Sequence, residues 1–359
     1  MRKTMTVAAV AIALSAASAA GLAAQQVAGP VLAASGTALA QAPTGAPGGA
    51  RTDEQRVRTL EQPGNNAPVW REVRSGEEHY TSLPGREMGV LVQSSGDTWR
   101  RIRNGPITFY GGWLLVVVSL VIGAIYFAQG PIRLHGKPTG RLIERFSAVE
   151  RWAHWVMAIS FCVLGVTGLI LLFGKHVLLP IIGYTLFAWL SSLAKNLHNF
   201  IAPLFAVSLV VFIVMYAKDN LPERGDGAWL ANGWKIFRGE HLPSGRFNAG
   251  EKLWFWLGVV VLCLVVTVSG FILLFPNFDQ LRTTMQQAHI VHAVSALLVI
   301  AFSLGHIYMG TIGVEGAYGN MRDGVTDETW AKEHHSLWYE EAKSGRMAAE
   351  AGAEPRPQA

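Results

Sequence analysis

The chain has 359 residues, half of them hydrophobic and only 15% charged, with a mean hydropathy of +0.28. Those values exclude an ordinary soluble domain and suit an integral membrane protein. The formal charge of +5 is spread over many segments rather than gathered in one patch, which argues against nucleic-acid binding.

The N-terminus reads as an export signal. Arg2 and Lys3 precede a weakly hydrophobic, Ala-rich stretch, Val7–Ala34, with small-residue cleavage candidates around Ala24 and at Ala38-Leu39-Ala40. The expectation is a signal peptide over 1–40. A retained sixth helix is the alternative, disfavoured because Ala and Gly favour membrane insertion less than Leu. Residues 41–105 are polar and contain Pro, Gly and Arg. They predict a largely irregular periplasmic extension with little core of its own.

Five apolar runs follow: Tyr110–Ala128, Trp152–Phe173, Ile201–Ala217, Leu253–Phe275 and Ile290–Thr311. Each is near the length that crosses a hydrocarbon core of about 30 Å as a helix. Lipid offers the backbone no hydrogen bonds, so these runs must be helical. The chain then divides into a transmembrane helix over 106–130, a four-helix core over 145–312 and a polar tail over 313–359.

Loop charges orient the spans. Lys and Arg number five in residues 129–151, two in 175–197, six in 218–252, one in 276–289 and five from 313 onward. The positive-inside rule places the first, third and fifth of these segments in the cytoplasm, and the extension before the first span outside. Arg100, Arg101 and Arg103, just before that span, run against the rule.

Four histidines fall in apolar segments: His154, His198, His292 and His306. His292 and His306 share one run and stand fourteen residues apart. On a helix that is roughly 21 Å of rise, and fourteen steps of about 100° return to within roughly 40° of the same face. One helix can thus offer imidazoles at two depths. By depth, His198 pairs with His292 near the outer side and His154 with His306 near the inner side. Two stacked haems, each held by two histidines, suit that arrangement. The bland alternative is a set of hydrogen-bonded interior histidines, which four residues matched in depth make hard to sustain. His289 competes with His292 on nearly the same face but precedes the apolar run. Gly165, Gly168, Gly258 and Gly270 suit close approach to a porphyrin or ordinary packing of membrane helices equally well.

The cysteines are two, Cys162 and Cys263, both in apolar runs. They imply no disulfide framework, no covalent c-type haem and no iron–sulfur cluster on this chain.

From Arg145 to Glu341 the sequence resembles the gamma subunit, cytochrome b556, of membrane-bound formate dehydrogenase. The resemblance rests on RFSAVERWAHW, NLHNF, DNLPERGDGAWL, RFNAGEKLWFW, HIVHAVSALLVIAFSLGHIYMG and WAKEHHSLWYEE, in that order. It implies an all-α membrane fold: a four-helix di-haem cytochrome b bundle, here with one extra N-terminal transmembrane helix as in the longer proteobacterial form. It implies two haem b groups ligated by His154, His198, His292 and His306, in a bacterial inner-membrane protein. Its implied partners are an iron–sulfur beta subunit and an exported alpha subunit with molybdenum or tungsten, where formate is oxidised. Quinone is the implied acceptor, in a pocket involving Asn248 and Gly250 beside His306. Read from the residues alone, Asn248 suits a helix N-cap just as well. Rival readings are the di-haem b subunit of a nickel–iron hydrogenase or thiosulfate reductase, and a haem-free anchor or transporter whose histidines relay protons or bind a metal.

Overall fold

The computed structural model describes residues 95–352 apart from 277 and 279, together with the strands β1 (His79–Tyr80) and β2 (Val90–Val92). The expected signal peptide and most of the extension lie outside the described residues.

Five helices are long and apolar enough to cross a membrane. They are α1 (Ser95–Gln129), α2 (Ala148–Val177), α3 (Leu179–Tyr216), α5 (Ala249–Leu274) and α6 (Arg282–Gly313). A short α4 (Asp226–Asn232) lies between α3 and α5, and α7 (Ala317–Asp323), α8 (Glu328–His334) and α9 (Ser336–Gly352) follow α6.

The chain divides into two compact units. One takes residues up to Phe109 together with Phe275–Ile290. In it β1 pairs antiparallel with β2, and the first turns of α1 meet the first turns of α6. Ser95 Oγ donates to Gln286 Oε1 at 3.3 Å there. The other unit, Tyr110–Leu274 with Val291–Ala359, holds the helical core. Phe205, Leu209 and Tyr216 of α3, Phe255, Val259 and Cys263 of α5, and Val299 of α6 make its buried centre, with Phe146 below α2.

Two helices of the core start on capping boxes, which answer the unpaired N–H groups of a helix start. Ser147 caps α2 and Asn248 caps α5, each reciprocated by the glutamate three residues on, Glu150 and Glu251. β3 (Leu142–Glu144), just before α2, pairs antiparallel with β4 (Val325–Asp327), so the C-terminal segment is tied to the loop between α1 and α2.

Two stretches differ most from the sequence reading. α1 begins at Ser95, inside the segment expected to be irregular and upstream of the expected 106. Pro106 is accommodated because the stretch Arg103–Ile107 is π-helical, a form that relaxes the α-helical hydrogen-bond pattern. Residues 175–197, expected as a loop, are helical apart from a turn at Leu178 and a break at Gly183. Gly183 takes φ 74°, ψ 173°, a conformation open to glycine and strained for other residues. Beyond it α3 runs on for about 50 Å, well past the thickness of a hydrocarbon core, and His198 sits inside this helix rather than at its start. The two-stranded sheets are the departures from an all-α fold among the described residues.

Candidate functional site

The structure brings the four histidines together in two pairs. His198 of α3 faces His292 of α6 with ring centroids 6.1 Å apart. His154 of α2 faces His306 of α6 with centroids 6.4 Å apart. Two imidazoles that ligate one metal from opposite sides, with metal–nitrogen bonds of about 2 Å, have centroids about 6 Å apart. Both spacings therefore fit an iron held between two histidines. α6 serves both pairs, at two depths set by its helical rise. His289 points elsewhere: its ring meets Trp99 edge-on, with centroids 5.5 Å apart.

Hydrogen bonds fix how the first pair presents its nitrogens. His292 Nδ1 lies 2.9 Å from the carbonyl oxygen of Val266. A carbonyl only accepts, so Nδ1 carries the proton and Nε2 keeps its lone pair for a metal. His198 Nδ1 lies 2.9 Å from Thr167 Oγ1. That hydroxyl donates its one proton to the carbonyl of Val163 at 2.7 Å, so it accepts from His198 and sets the same tautomer. Glycines follow both supports. A Cβ on Gly168 would stand 3.4 Å from His198 Cε1, and one on Gly270 would stand 3.1 Å from His292 Cε1. Gly270 is thus a required close approach, and Gly168 a contact of ordinary length.

The second pair sits among aromatic rings. Trp254 stacks on His306, with centroids 5.3 Å apart and planes 18° from parallel. Trp155 and Phe212 flank His154. His154 Nδ1 is buried and has no hydrogen-bond partner. A side chain on Gly258 would collide with the Trp254 ring, so that glycine is what lets the indole lie along α5.

Asn248 and Gly250 open α5. Asn248 Oδ1 accepts from Glu251 N at 3.0 Å, and Glu251 Oε2 accepts from Asn248 N at 2.8 Å. Asn248 is therefore an N-cap. A Cβ on Gly250 would meet the Trp229 ring at 3.0 Å and Asn248 Oδ1 at 3.2 Å.

Below the second pair, two arginines cross over. Arg145 precedes the α2 cap and reaches Glu251 of the α5 cap at 3.7 Å. Arg246 precedes the α5 cap and binds Glu150 of the α2 cap at 2.7 Å, and Asp219 as well. Each guanidinium also donates to the other arginine's carbonyl, at 2.9 and 2.7 Å. Burial pushes the Arg145 guanidinium below its usual value, against the pull of Glu251. Burial acts the same way on Arg246, but its bonds to Glu150 and Asp219 prevail and hold it above. His335 closes the knot: its Nδ1 donates to the carbonyl of Gly245 at 2.8 Å, and its Nε2 accepts from Arg145 at 2.9 Å.

Residues 145–318 match the family described as prokaryotic cytochrome b561. The chain is 33% identical over 205 residues to the formate dehydrogenase cytochrome b556(fdo) subunit of Escherichia coli strain K12, covering 56% of this chain and 93% of that protein. It belongs to the family of formate dehydrogenase cytochrome b556 subunits. The nitrate-inducible cytochrome b556(Fdn) subunit of the same strain is 27% identical over 221 residues, 58% of this chain and 96% of that protein. The cytochrome b556 subunit of Haemophilus influenzae is 28% identical over 211 residues, 55% and 83% of the two chains. Membership makes this a multi-pass membrane cytochrome b, and a cytochrome b implies haem b.

The supports of the histidines went unread in the sequence, although a signal for them exists. Thr167-Gly168-Leu169-Ile170-Leu171-Leu172-Phe173 recurs as Ser269-Gly270-Phe271-Ile272-Leu273-Leu274-Phe275. Arg145-Phe146-Ser147-Ala148-Val149-Glu150 recurs as Arg246-Phe247-Asn248-Ala249-Gly250-Glu251. The two copies share the crossed arginines, the capping boxes and the hydroxyl-glycine supports. Thr167 lies 17 residues after Glu150, and Ser269 lies 18 after Glu251. The extra residue coincides with a π-helical stretch in α5, Trp254–Leu262, the form that absorbs an insertion without breaking a helix.

Proposed function

We propose that this chain is the electron-transfer subunit of a formate:quinone oxidoreductase, carrying electrons from an iron–sulfur partner subunit through two b haems to a membrane quinone. One observation carries the reading: two facing imidazole pairs, 6.1 and 6.4 Å between centroids, share α6 at two depths. Haem b, when bound by such histidines, takes up and releases one electron at a time.

The chain's own residues supply position and environment. Val266 and Thr167 hold the first pair's Nδ1 protons and so keep the Nε2 lone pairs inward. Trp254 and Phe212 keep the second pair in an apolar setting. Asn248 spends its Oδ1 on the helix cap and is left with its NH2 as a donor toward a quinone oxygen, at the end of the bundle that holds His306. Formate oxidation belongs in this reading to a separate molybdenum- or tungsten-containing subunit on the exported side.

The distribution of Lys and Arg supports an inner-membrane orientation with the first pair near the outside and the second near the cytoplasm. Electrons then move inward and quinone takes its protons from the cytoplasm, so turnover contributes to the proton-motive force.

The test is a haem count and a reduction spectrum of the purified complex. Two b haems per chain, both reduced by formate and reoxidised by quinone, are expected. One haem or none, or no reduction by formate, overturns the reading.

A further inference from the structure

We propose that His135, His241 and Glu333 form a binding site for a divalent transition-metal cation of the zinc class, clasping two extramembrane loops to the C-terminal segment. This inference is independent of the haem reading, since it uses none of its residues.

Three distant stretches of sequence supply the donors. His135 lies in the loop between α1 and α2, His241 in the segment between α4 and α5, and Glu333 on α8. One ligand atom from each falls within 4.8 Å of the other two. His135 Nδ1 and His241 Nε2 are 2.6 Å apart, and His241 Nε2 is 3.6 Å from Glu333 Oε2. The rings meet edge-on, with planes at 86°, so both nitrogens aim at one region rather than stacking past it.

Two imidazoles and a carboxylate are a donor set that zinc accepts, with a fourth position for water. Tetrahedral ligand atoms at about 2.0–2.1 Å from zinc stand about 3.3 Å from each other. The His241–Glu333 spacing is already close to that. The two imidazoles would separate by about 0.7 Å on binding, which exposed loop side chains can do. Both histidines are exposed and Glu333 is half-buried.

The surroundings are shaped for this cluster. The Glu333 carboxylate is held by the backbone, since Oε1 accepts from Gly136 N at 2.7 Å and Oε2 from His135 N at 3.0 Å. Each oxygen keeps a second lone pair for a cation. A Cβ on Gly136 would press on Glu333 Oε1 at 3.3 Å, and one on Gly239 would press on His135 Nε2 at 3.3 Å. Gly239 also takes φ +81°, so two glycines leave the room that the donors occupy. His241 and Glu333 line a surface cleft with Gly136, Thr139 and Tyr339, which gives a hydrated cation a way in.

The experiment is equilibrium dialysis of the detergent-purified, haem-containing full chain against Zn²⁺ after chelator treatment, with metal quantified per chain. Wild type should hold one zinc. His241→Ala and Glu333→Gln should each weaken binding at least tenfold with the haem spectrum unchanged. X-ray absorption at the zinc edge of the wild-type protein is the second measurement, independent of whether the variants fold. It should show imidazole ligation with bonds of about 2.0–2.1 Å. No stoichiometric zinc in wild type, equal binding by variants that keep their haem, or a zinc edge without imidazole would overturn the proposal. The two histidines would then be a hydrogen-bonded pair alone.

Discussion

The indole of Trp254 lies over the imidazole of His306, centroids 5.3 Å apart and planes 18° from parallel. The contact holds the ring of a proposed iron ligand at the end of α6 where its helix turns π-helical. Trp254→Leu keeps an apolar side chain and removes the flat support. Aromatic contacts of this kind are worth about 0.5–1.5 kcal/mol, or about 2- to 12-fold in affinity. The expected outcome is weakened retention, or a shifted midpoint potential, for one haem only. Potentiometric titration reads the two proposed haems in one sample; equal shifts in both would contradict a local role.

Glycine spacing gives a sharper contrast. Gly270→Ala would place a methyl 3.1 Å from His292 Cε1, while Gly123→Ala in α1 meets nothing within 4 Å. The first should lower haem content or disturb the spectrum of the His198–His292 site, by overpacking that costs about 1–3 kcal/mol. The second should leave haem content as in wild type. Pyridine haemochrome assays on the two variants, expressed to equal level, measure the difference.

Thr167 and Ser269 occupy matching places in the repeated segments, yet they are not equivalent. Thr167 Oγ1 lies 2.9 Å from His198 Nδ1, which the backbone carbonyl of Leu164 also accepts from. Ser269 Oγ stands 3.3 Å from His292 Nδ1, which already has the Val266 carbonyl at 2.9 Å. Thr167→Val removes the closer of the two hydroxyls and should reduce haem affinity by up to about 10-fold. Ser269→Ala should have a much smaller effect. Comparable losses from both would mean that hydroxyls at 2.9 Å and 3.3 Å support their imidazoles equally.

These contrasts show which parts of the molecule sequence reasoning could reach. The pairing of His154 with His306 and of His198 with His292 is read from helical rise and loop charge, and in the folded chain those rings face each other. The length of α3 is not legible in this way. Tyr184, Leu186 and Trp189 are mixed with Ser191, Ser192 and Lys195, so the segment falls short of a continuous apolar run, and Gly183 interrupts it. The pairing of β3 with β4 joins three-residue strands far apart in sequence, too short for a period-2 pattern to stand out. Thr167 and Ser269 look like ordinary polar residues of a span until the imidazoles are placed. Only comparison of the chain with itself, Arg145–Phe173 against Arg246–Phe275, would have marked them beforehand.

Asp327 governs how the C-terminal segment is tied down. Its carboxylate accepts from Thr329 N at 2.8 Å, Thr139 N at 3.1 Å and Gly140 N at 2.7 Å. Burial works to raise this carboxyl, but those N–H donors prevail and hold it below the usual carboxylate value. A depressed carboxyl lends its full stability above the unfolded value of about 3.9 and loses it as pH falls through the folded one. Docking of α8 should be unchanged from neutral pH to about 5 and weaken only in stronger acid. Asp327→Ala should loosen the segment at neutral pH by about 1–2 kcal/mol, the scale of a lost N-cap. Hydrogen exchange over residues 325–334 reports both effects, and protection equal to wild type would contradict the prediction.

Asn248 has two possible tasks that one set of substitutions separates. As an N-cap its Oδ1 serves Glu251 N at 3.0 Å. As a quinone contact its NH2 would donate. Ser and Asp cap helices about as well as Asn, and loss of the cap altogether costs about 1 kcal/mol. Neither Ser nor an ionised Asp carries an amide NH2. Asn248→Ser and Asn248→Asp should therefore keep the fold and both haems, and formate should still reduce them in the purified complex. Electron delivery from reduced haem to quinone should fall about tenfold, roughly the 1.4 kcal/mol that one hydrogen bond is worth. Stopped-flow reoxidation by a quinol-free quinone pool isolates that step from formate oxidation. In sealed, oriented vesicles with a potential-sensitive dye, the same variants should slow the build-up of membrane potential in proportion. Wild-type reoxidation in both variants would assign Asn248 to the cap alone, and fast quinone reduction with no potential would move the quinone site to the His198–His292 end of the bundle.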